Sequence, residues 1–273
     1  LGKYDGFLIE WLDVNEHGMV TPEIVAKAIC DNTAIVSVMY ANNEIGTINP
    51  IKEIAEICRV NKILFHTDAV QAAAYLPLDV NELGVDMMSL GAHKFYGPKG
   101  VGALYVRKGT PLVPHLTGGG QEFNLRAGTQ NVPYIVGFAE ALRLTEDERE
   151  QRAAHIQPLR DKIIGTVLET IPDSQLTGDL ESRLPHHASF AFKGIDGNLL
   201  LTLLDAAGFA CSSGSACKTG NPEPSEVMNA IGLSREWGLG SLRVTLGKDT
   251  LPDHIESFLS ALPNLVKKAR HLK

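Results

Sequence analysis

The sequence predicts an α/β fold, and three observations point there. Strand-like and helix-like segments alternate almost to the end of the chain. Ala34 to Tyr40 (AIVSVMY) is a short β-branched run flanked by polar residues, the profile of a buried parallel strand. Polar and glycine-rich stretches then follow such strands, at the sheet edge where open α/β folds bind ligands.

The elements read in order as follows. Thr21-Pro22-Glu23 is an N-cap with proline at the first helical position, leading into a helix from Ile24 to Cys30. Ile51 to Asn61 carries apolar residues at Ile51, Ile54, Ala55, Ile57 and Cys58, which is helical spacing. Ile63 to Phe65 is the next strand and runs into His66-Thr67-Asp68. A strand–turn–strand region spans Val85 to Val106, interrupted by GAHKFYGPKG. Gly118-Gly119-Gly120 opens a loop to about Asn131. A helix from Pro133 to Arg152 follows, strongly charged in its second half, and marks the expected domain junction. Residues 1–150 form a large domain with a mostly parallel sheet, and 151–273 a smaller C-terminal α/β domain. The latter reads as a helix (Ile156 to Leu168), a strand (Ala188 to Phe192) and a helix (Asn198 to Ala207). The loop CSSGSACKTG comes next, then a helix (Ser225 to Ile231), a strand (Ser241 to Leu246) and a last helix from about Pro252.

Composition narrows the function classes. With 44% hydrophobic and 21% charged residues the chain is ordinary globular protein. A net charge of -7 argues against nucleic acid as a partner. The cations Lys267, Lys268, Arg270, His271 and Lys273 suit the C-terminal end of a helix dipole. No apolar run has membrane-spanning length, and no secretory leader is visible. Four cysteines without a CxxC pair make no disulfide framework, so a reducing, cytoplasmic location is expected, and no residue is assigned to a metal. The first residue is Leu1 rather than Met and a strand-like run follows almost at once, so the start is expected to be missing.

Three positions carry candidate chemistry. Asp68 lies just beyond a buried strand, where a carboxylate serves either as a helix cap or as a functional anion, and Gln71 falls three residues on. Lys94 sits among glycines and aromatic residues directly after the strand Met87 to Leu90. It is either a surface lysine beside a turn or an amine for a Schiff base with a carbonyl cofactor. Pyridoxal phosphate would need both residues, since an acid at its pyridine nitrogen makes the ring an electron sink. Ser212-Ser213-Gly214-Ser215-Ala216-Cys217 is a glycine–serine loop ending in a cysteine, the setting of a reactive thiol. Cys30 and Cys58 fall on apolar helix faces and read as packing residues, and Cys211, in a strand-like run, as buried.

Taken together, Asn42-Asn43-Glu44-Ile45-Gly46, His66-x-Asp68-x-x-Gln71, His93-Lys94-x-Tyr96-Gly97-Pro98-Lys99-Gly100, Gly118-Gly119-Gly120-Gln121-Glu122, Arg126-Ala127-Gly128-Thr129, Ser212 to Cys217, Glu223-Pro224-Ser225 and Ser241-Leu242-Arg243 resemble the NifS/IscS-type cysteine desulfurases of the class V aminotransferase group. The Ser-Ser-Gly-Ser-Ala-Cys loop is the most specific of these, because other class V enzymes share the lysine motif.

The resemblance implies a fold-type-I architecture with pyridoxal 5'-phosphate as cofactor. Lys94 would hold the cofactor and move protons at the substrate Cα. Asp68 would pair with the ring nitrogen, Gln71 with the ring hydroxyl and His93 with the phosphate, and Asn43 would lie near the ring and the substrate carboxylate. Arg243 would clamp that carboxylate. Thr129 would reach the phosphate of a neighbouring subunit, which implies a homodimer. Cys217 would take the sulfur of L-cysteine as a persulfide and release alanine, for a sulfur-acceptor or scaffold protein of iron–sulfur cluster or thiocofactor assembly. Two departures stand out: Gly91 replaces the family's phosphate-binding serine, and an upstream segment with a phosphate loop and a ring-stacking histidine is not in the sequence. The rival expectations are another class V enzyme, such as a selenocysteine lyase or an aminotransferase, and a truncated chain without catalysis.

Overall fold

The computed structural model describes residues 6–214 and 223–272. It divides into two compact units. One contains Cys30–Tyr40 and Pro50–Arg149, the other Leu1–Ile29, Ala41–Asn49 and Glu150–Lys273. A single cut at residue 150 differs from this division, because Leu1–Ile29 and Ala41–Asn49 group with the C-terminal part.

The unit of Cys30–Tyr40 and Pro50–Arg149 is built on a four-stranded sheet of order β1 (Ile35–Met39), β2 (Leu64–Asp68), β3 (Met87–Gly91) and β4 (Gly102–Val106). The first three strands are parallel and β4 runs antiparallel to β3. Alternate residues of β1 and β2 are buried, Val36 and Val38 on one and Phe65 and Thr67 on the other. Between these strands α2 (Ile51–Val60) buries Ile51, Ile54, Ala55 and Cys58, the stripe that the helical spacing predicts. Each such isoleucine contributes about 1.5–3 kcal/mol on leaving water. Register then positions the chemistry: Met39 lies opposite Asp68, and Asp68 opposite Ser89, so three strands end together at one edge.

The other unit carries an antiparallel sheet of order β5 (Ser174–Leu176), β6 (His187–Phe192) and β7 (Ser241–Thr245), with β6 buried along its whole length. Helix α5 (Gly197–Ala206) starts under the cap of Asp196, whose side chain accepts the Asn198 N–H. The final helix α8 (Pro252–His271) buries Ile255, Phe258, Leu262, Val266 and Ala269, and Phe209 meets Phe258 edge to face at 5.5 Å. Helix α1 (Pro22–Ala28) has the expected cap, with the Ile24 N–H donating to the Thr21 hydroxyl at 3.4 Å.

Several expectations need correction. The two helices expected from Pro133 and from Ile156 are one, α4 (Val132–Thr170). The charged stretch read as a helix end sustains the helix instead, because Arg143 pairs with Glu140 and Asp147, and Arg149 with Glu146, at three- and four-residue spacing. Cys30 does not pack in a core. Helix α1 stops at Ala28, and Cys30 is exposed, its N–H donating to the Thr33 hydroxyl. Cys58 is buried as read, and Cys211 is partly buried. Among the described residues, β5, α3 (Val80–Leu83), α7 (Arg235–Gly238) and a 3-10 turn at Glu122–Asn124 went unread, each only three or four residues long. No helix among the described residues is long and apolar enough to cross a membrane.

Candidate active site

The sheet edge at the ends of β2 and β3 gathers Asp68, Gln71, His93 and Lys94. Asp68 closes β2, and its Oδ1 accepts the Val70 N–H at 2.9 Å, a turn that fixes the carboxylate at the strand end. The main chain here is bound on both sides, Tyr40 N–H donating to the Asp68 carbonyl and Ala69 N–H to that of Ser89. Two residues earlier, on the same face of the strand, His66 has both ring nitrogens partnered. Nδ1 lies 2.8 Å from the Ser37 hydroxyl and Nε2 2.9 Å from that of Ser89. Burial lowers the His66 pKa, opposed by the Asp68 charge, so the ring is neutral at physiological pH. His66 received no role from sequence reasoning, although its place in the His-x-Asp motif was the available signal.

Strand β3 ends at Gly91 and turns at once into a 3-10 turn, Ala92–Phe95, which presents His93 and Lys94 to solvent while Ala92 and Phe95 are buried. Tyr96 closes that turn in the left-handed region (φ 67°), its N–H on the Ala92 carbonyl. A non-glycine residue held there is a strained conformation maintained by its surroundings, next to the candidate catalytic lysine. Thr145 adds a hydrogen bond from its hydroxyl to the Phe95 carbonyl. Thr129 lies exposed in the loop before α4.

The residues present fit pyridoxal phosphate. An anchored carboxylate and an exposed primary amine project from adjacent strand ends, the donor set that a pyridinium and an aldehyde require. Gly91 leaves room for the family's serine: its backbone is extended (φ -129°), and an added Cβ would meet only ordinary contacts, the nearest Val70 Cγ1 at 3.5 Å.

Asn43 and Arg243 belong to the other unit, where the structure brings them together. The turn of Asn42 to Gly46 is built locally, with the Asn42 side chain accepting the N–H groups of Glu44 (2.8 Å) and Ile45 (3.1 Å). Arg243 of β7 donates from Nη1 to the Asn43 carbonyl at 2.8 Å, and His187 Nε2 lies 3.3 Å from the same oxygen. Arg183, almost fully buried, donates to the Ile45 carbonyl at 2.8 Å and also to Thr177 O. Burial, with Arg160 nearby, lowers its pKa to about 10, so it remains a cation at neutral pH. His187 is held well below the usual histidine range by burial and by the charge near it, which makes it a neutral donor to Asn43 O. Gly46 is required by proximity as well as by its φ of 76°, since a Cβ would meet the His187 ring at 2.7 Å. Arg183 and His187 were not singled out from the sequence, and nothing local marks them. Ser212 pairs with Arg243 through both main-chain hydrogen bonds, so the start of the cysteine-bearing loop is tied to the strand of the candidate clamp. Cys217 itself lies outside the described residues.

Known proteins resemble this chain over nearly its whole length. The aminotransferase class-V family model matches residues 1–258. A cysteine desulfurase IscS of Methanosarcina thermophila is 46% identical over 267 residues, covering 98% of this chain and 66% of that protein. One from Dictyoglomus turgidum is 44% identical, with 97% and 67% covered. Among solved structures, a NifS-like protein superposes with a TM-score of 0.88 at 36% identity, over 97% of this chain and 70% of that one. DndA from Streptomyces lividans superposes with a TM-score of 0.74 at 34% identity, over 88% and 68%. The chain thus spans about two thirds of the length of the curated relatives it matches. By these matches the chain belongs to the class V aminotransferases, on their cysteine desulfurase branch.

Proposed function

We propose that the chain carries the machinery of a cysteine desulfurase, converting L-cysteine to L-alanine and passing the sulfur to Cys217. The observation that carries this reading is the register that sets Asp68 beside the strand leading to Lys94, in a chain related throughout to such enzymes. Bound there, pyridoxal phosphate supplies an electron sink for negative charge at the substrate Cα. Lys94 would hold it covalently, Asp68 would pair with the ring nitrogen, Gln71 with the ring hydroxyl and His93 with the phosphate, and Thr129 would reach the phosphate of a neighbouring subunit. Arg243 and Asn43 take the substrate carboxylate. Lys94 Nζ removes the proton from Cα and returns one to the product. The Cys217 thiolate attacks the substrate sulfur: a sulfur–sulfur bond forms, the carbon–sulfur bond breaks, and its electron pair returns to the carbon skeleton, which is protonated to alanine. Cysteine and thiol thus become alanine and persulfide with no external oxidant.

A homodimer in which Thr129 serves the neighbouring subunit's phosphate is part of the proposal. It is supported by exposed apolar side chains in the same stretch of chain, among them Phe123, Val132 and Val136. Delivery of the sulfur to a cytoplasmic acceptor or scaffold for iron–sulfur or thiocofactor assembly completes it. The test is product analysis with pyridoxal phosphate and L-cysteine. Alanine and protein-bound sulfur in equal amounts are expected; a keto acid without sulfur release would identify an aminotransferase instead.

A further inference from the structure

On the face of β6 and β7 that meets the Asn42–Gly46 turn, His187 has no part in the chemistry at Lys94 and Cys217. Ser189 lies opposite Arg243 in the β6–β7 register, so His187, two residues earlier, is the diagonal neighbour of Arg243 on the same face. Both side chains reach one oxygen, the Asn43 carbonyl, Arg243 from Nη1 at 2.8 Å and His187 from Nε2 at 3.3 Å. A carbonyl only accepts, so His187 is the Nε2–H tautomer and its Nδ1 carries a lone pair. That Nδ1 is buried without a hydrogen-bond partner. Gly46 closes off the same edge of the ring, since a Cβ added there would lie 2.7 Å from Nδ1. An orphaned buried acceptor destabilises the fold, and an apolar side chain would avoid it. What the ring adds over an apolar residue is therefore the Nε2–H.

The rest of the turn is held without Arg243. Arg183 and the Ser189 hydroxyl donate to the Ile45 carbonyl, and the Glu44 carboxyl bonds to the Ser225 hydroxyl that caps α6 (Glu226–Ala230). The turn and the guanidinium meet at Asn43 O, in the one side-chain hydrogen bond that Arg243 makes among the described residues. With Nη1 occupied, Nε and Nη2 remain, the pair that forms a side-on fork to a carboxylate. We propose that His187 is a positioning residue for the substrate carboxylate: its Nε2–H holds the shared carbonyl in place and so fixes the Arg243 guanidinium with that fork open. This deepens, and rests on, the reading of Asn43 and Arg243 as the carboxylate site.

The test compares variants of the full chain loaded with pyridoxal phosphate. His187→Met, which has no donor, should raise KM for L-cysteine about tenfold while kcat changes by less than about twofold. KM does not depend on the folded fraction, so a merely destabilised variant would not move it. His187→Gln should stay within about threefold of the parental KM, because its amide nitrogen reaches where Nε2 stands. His187→Asn has an amide too short to do so and should behave like His187→Met, which keeps the test decisive if either folds poorly. In an Arg243→Met background, loss of the His187 donor should change KM by less than about twofold, because it acts through the guanidinium. Without cofactor or turnover, heteronuclear NMR of the imidazole nitrogens at neutral pH should show the Nε2–H tautomer. An unchanged KM in His187→Met, an equal rise in His187→Gln, additive effects with Arg243→Met, or a charged or Nδ1–H ring would each overturn the proposal while the carboxylate site stood. If Arg243→Met itself left KM unchanged, the carboxylate-site reading would fall and this one with it, so the two failures are distinguishable.

Discussion

Around Asp68 the polar contacts come from the sheet that carries it. Val70 N–H is two residues on, and Ser37 and Ser89 fix His66 from the neighbouring strands of one parallel sheet. Around Asn43 the contacts come from far along the chain: Arg243 is 200 positions away, His187 144, and Arg183 reaches Ile45 across 138. The first region presents exposed or half-buried chemistry from strand ends. The second buries cations and a neutral imidazole against main-chain carbonyls. Failure in the first should therefore cost function with the fold intact, and failure in the second should cost the fold.

Lys94→Ala is the strongest way to test the first half of that contrast. It should abolish the absorbance of bound cofactor and all turnover while leaving the unfolding midpoint within error, since the side chain is exposed. Hydride reduction and peptide mapping should place the cofactor label on Lys94; a label on Lys99 or Lys108 would refute the assignment. Arg183→Met tests the second half. It removes the guanidinium donors to the carbonyls of Ile45, Thr177 and Asp179, the first two of which keep the Ser189 hydroxyl as a partner, so a loss of about 1–3 kcal/mol is expected in urea unfolding.

The buried imidazole sharpens the comparison through pH. His187 is held well below its ordinary 6.5, so below that pH the unfolded chain takes up a proton that the folded chain refuses. Stability is then greatest above pH 6.5 and falls as pH drops, by about 1.4 kcal/mol per unit while the folded ring stays neutral. Buried His186, lowered to about 3, adds a similar share, so urea midpoints at several pH values should show a slope that shrinks by about half in His187→Asn; an unchanged slope would remove His187 as one of its sources. The smallest effect belongs to Gly91→Ser. Its Cβ meets no close contact, so stability should hold while cofactor affinity rises about tenfold through one regained phosphate contact. Unchanged affinity would show that the phosphate lies elsewhere.

The same contrast governs what could be read from sequence. The strand ends were legible because a β-branched run followed by His66-Thr67-Asp68, or by Gly91 to Lys94, is a local signal, and the alternation of strands and helices predicted the parallel sheet. The stripe of Ile51, Ile54, Ala55 and Cys58 was legible for the same reason. Arg183 and His187 were not, because a buried donor to a distant carbonyl leaves no mark on its neighbours. Helix α4 was misread as two, since charge at one stretch resembles a terminus until the three- and four-residue pairs are seen. Cys30 was misread because helical spacing was extended past the true end of α1 at Ala28.

The reading stands or falls on where the sulfur goes. With the cofactor bound, a brief exposure to L-cysteine followed by digestion and mass spectrometry should find the Cys217 peptide heavier by one sulfur atom, with an equal amount of alanine released. Cys217→Ser should keep the cofactor absorbance and lose the adduct. Sulfur on Cys211 instead, or sulfur release at the parental rate from the serine variant, would contradict the account.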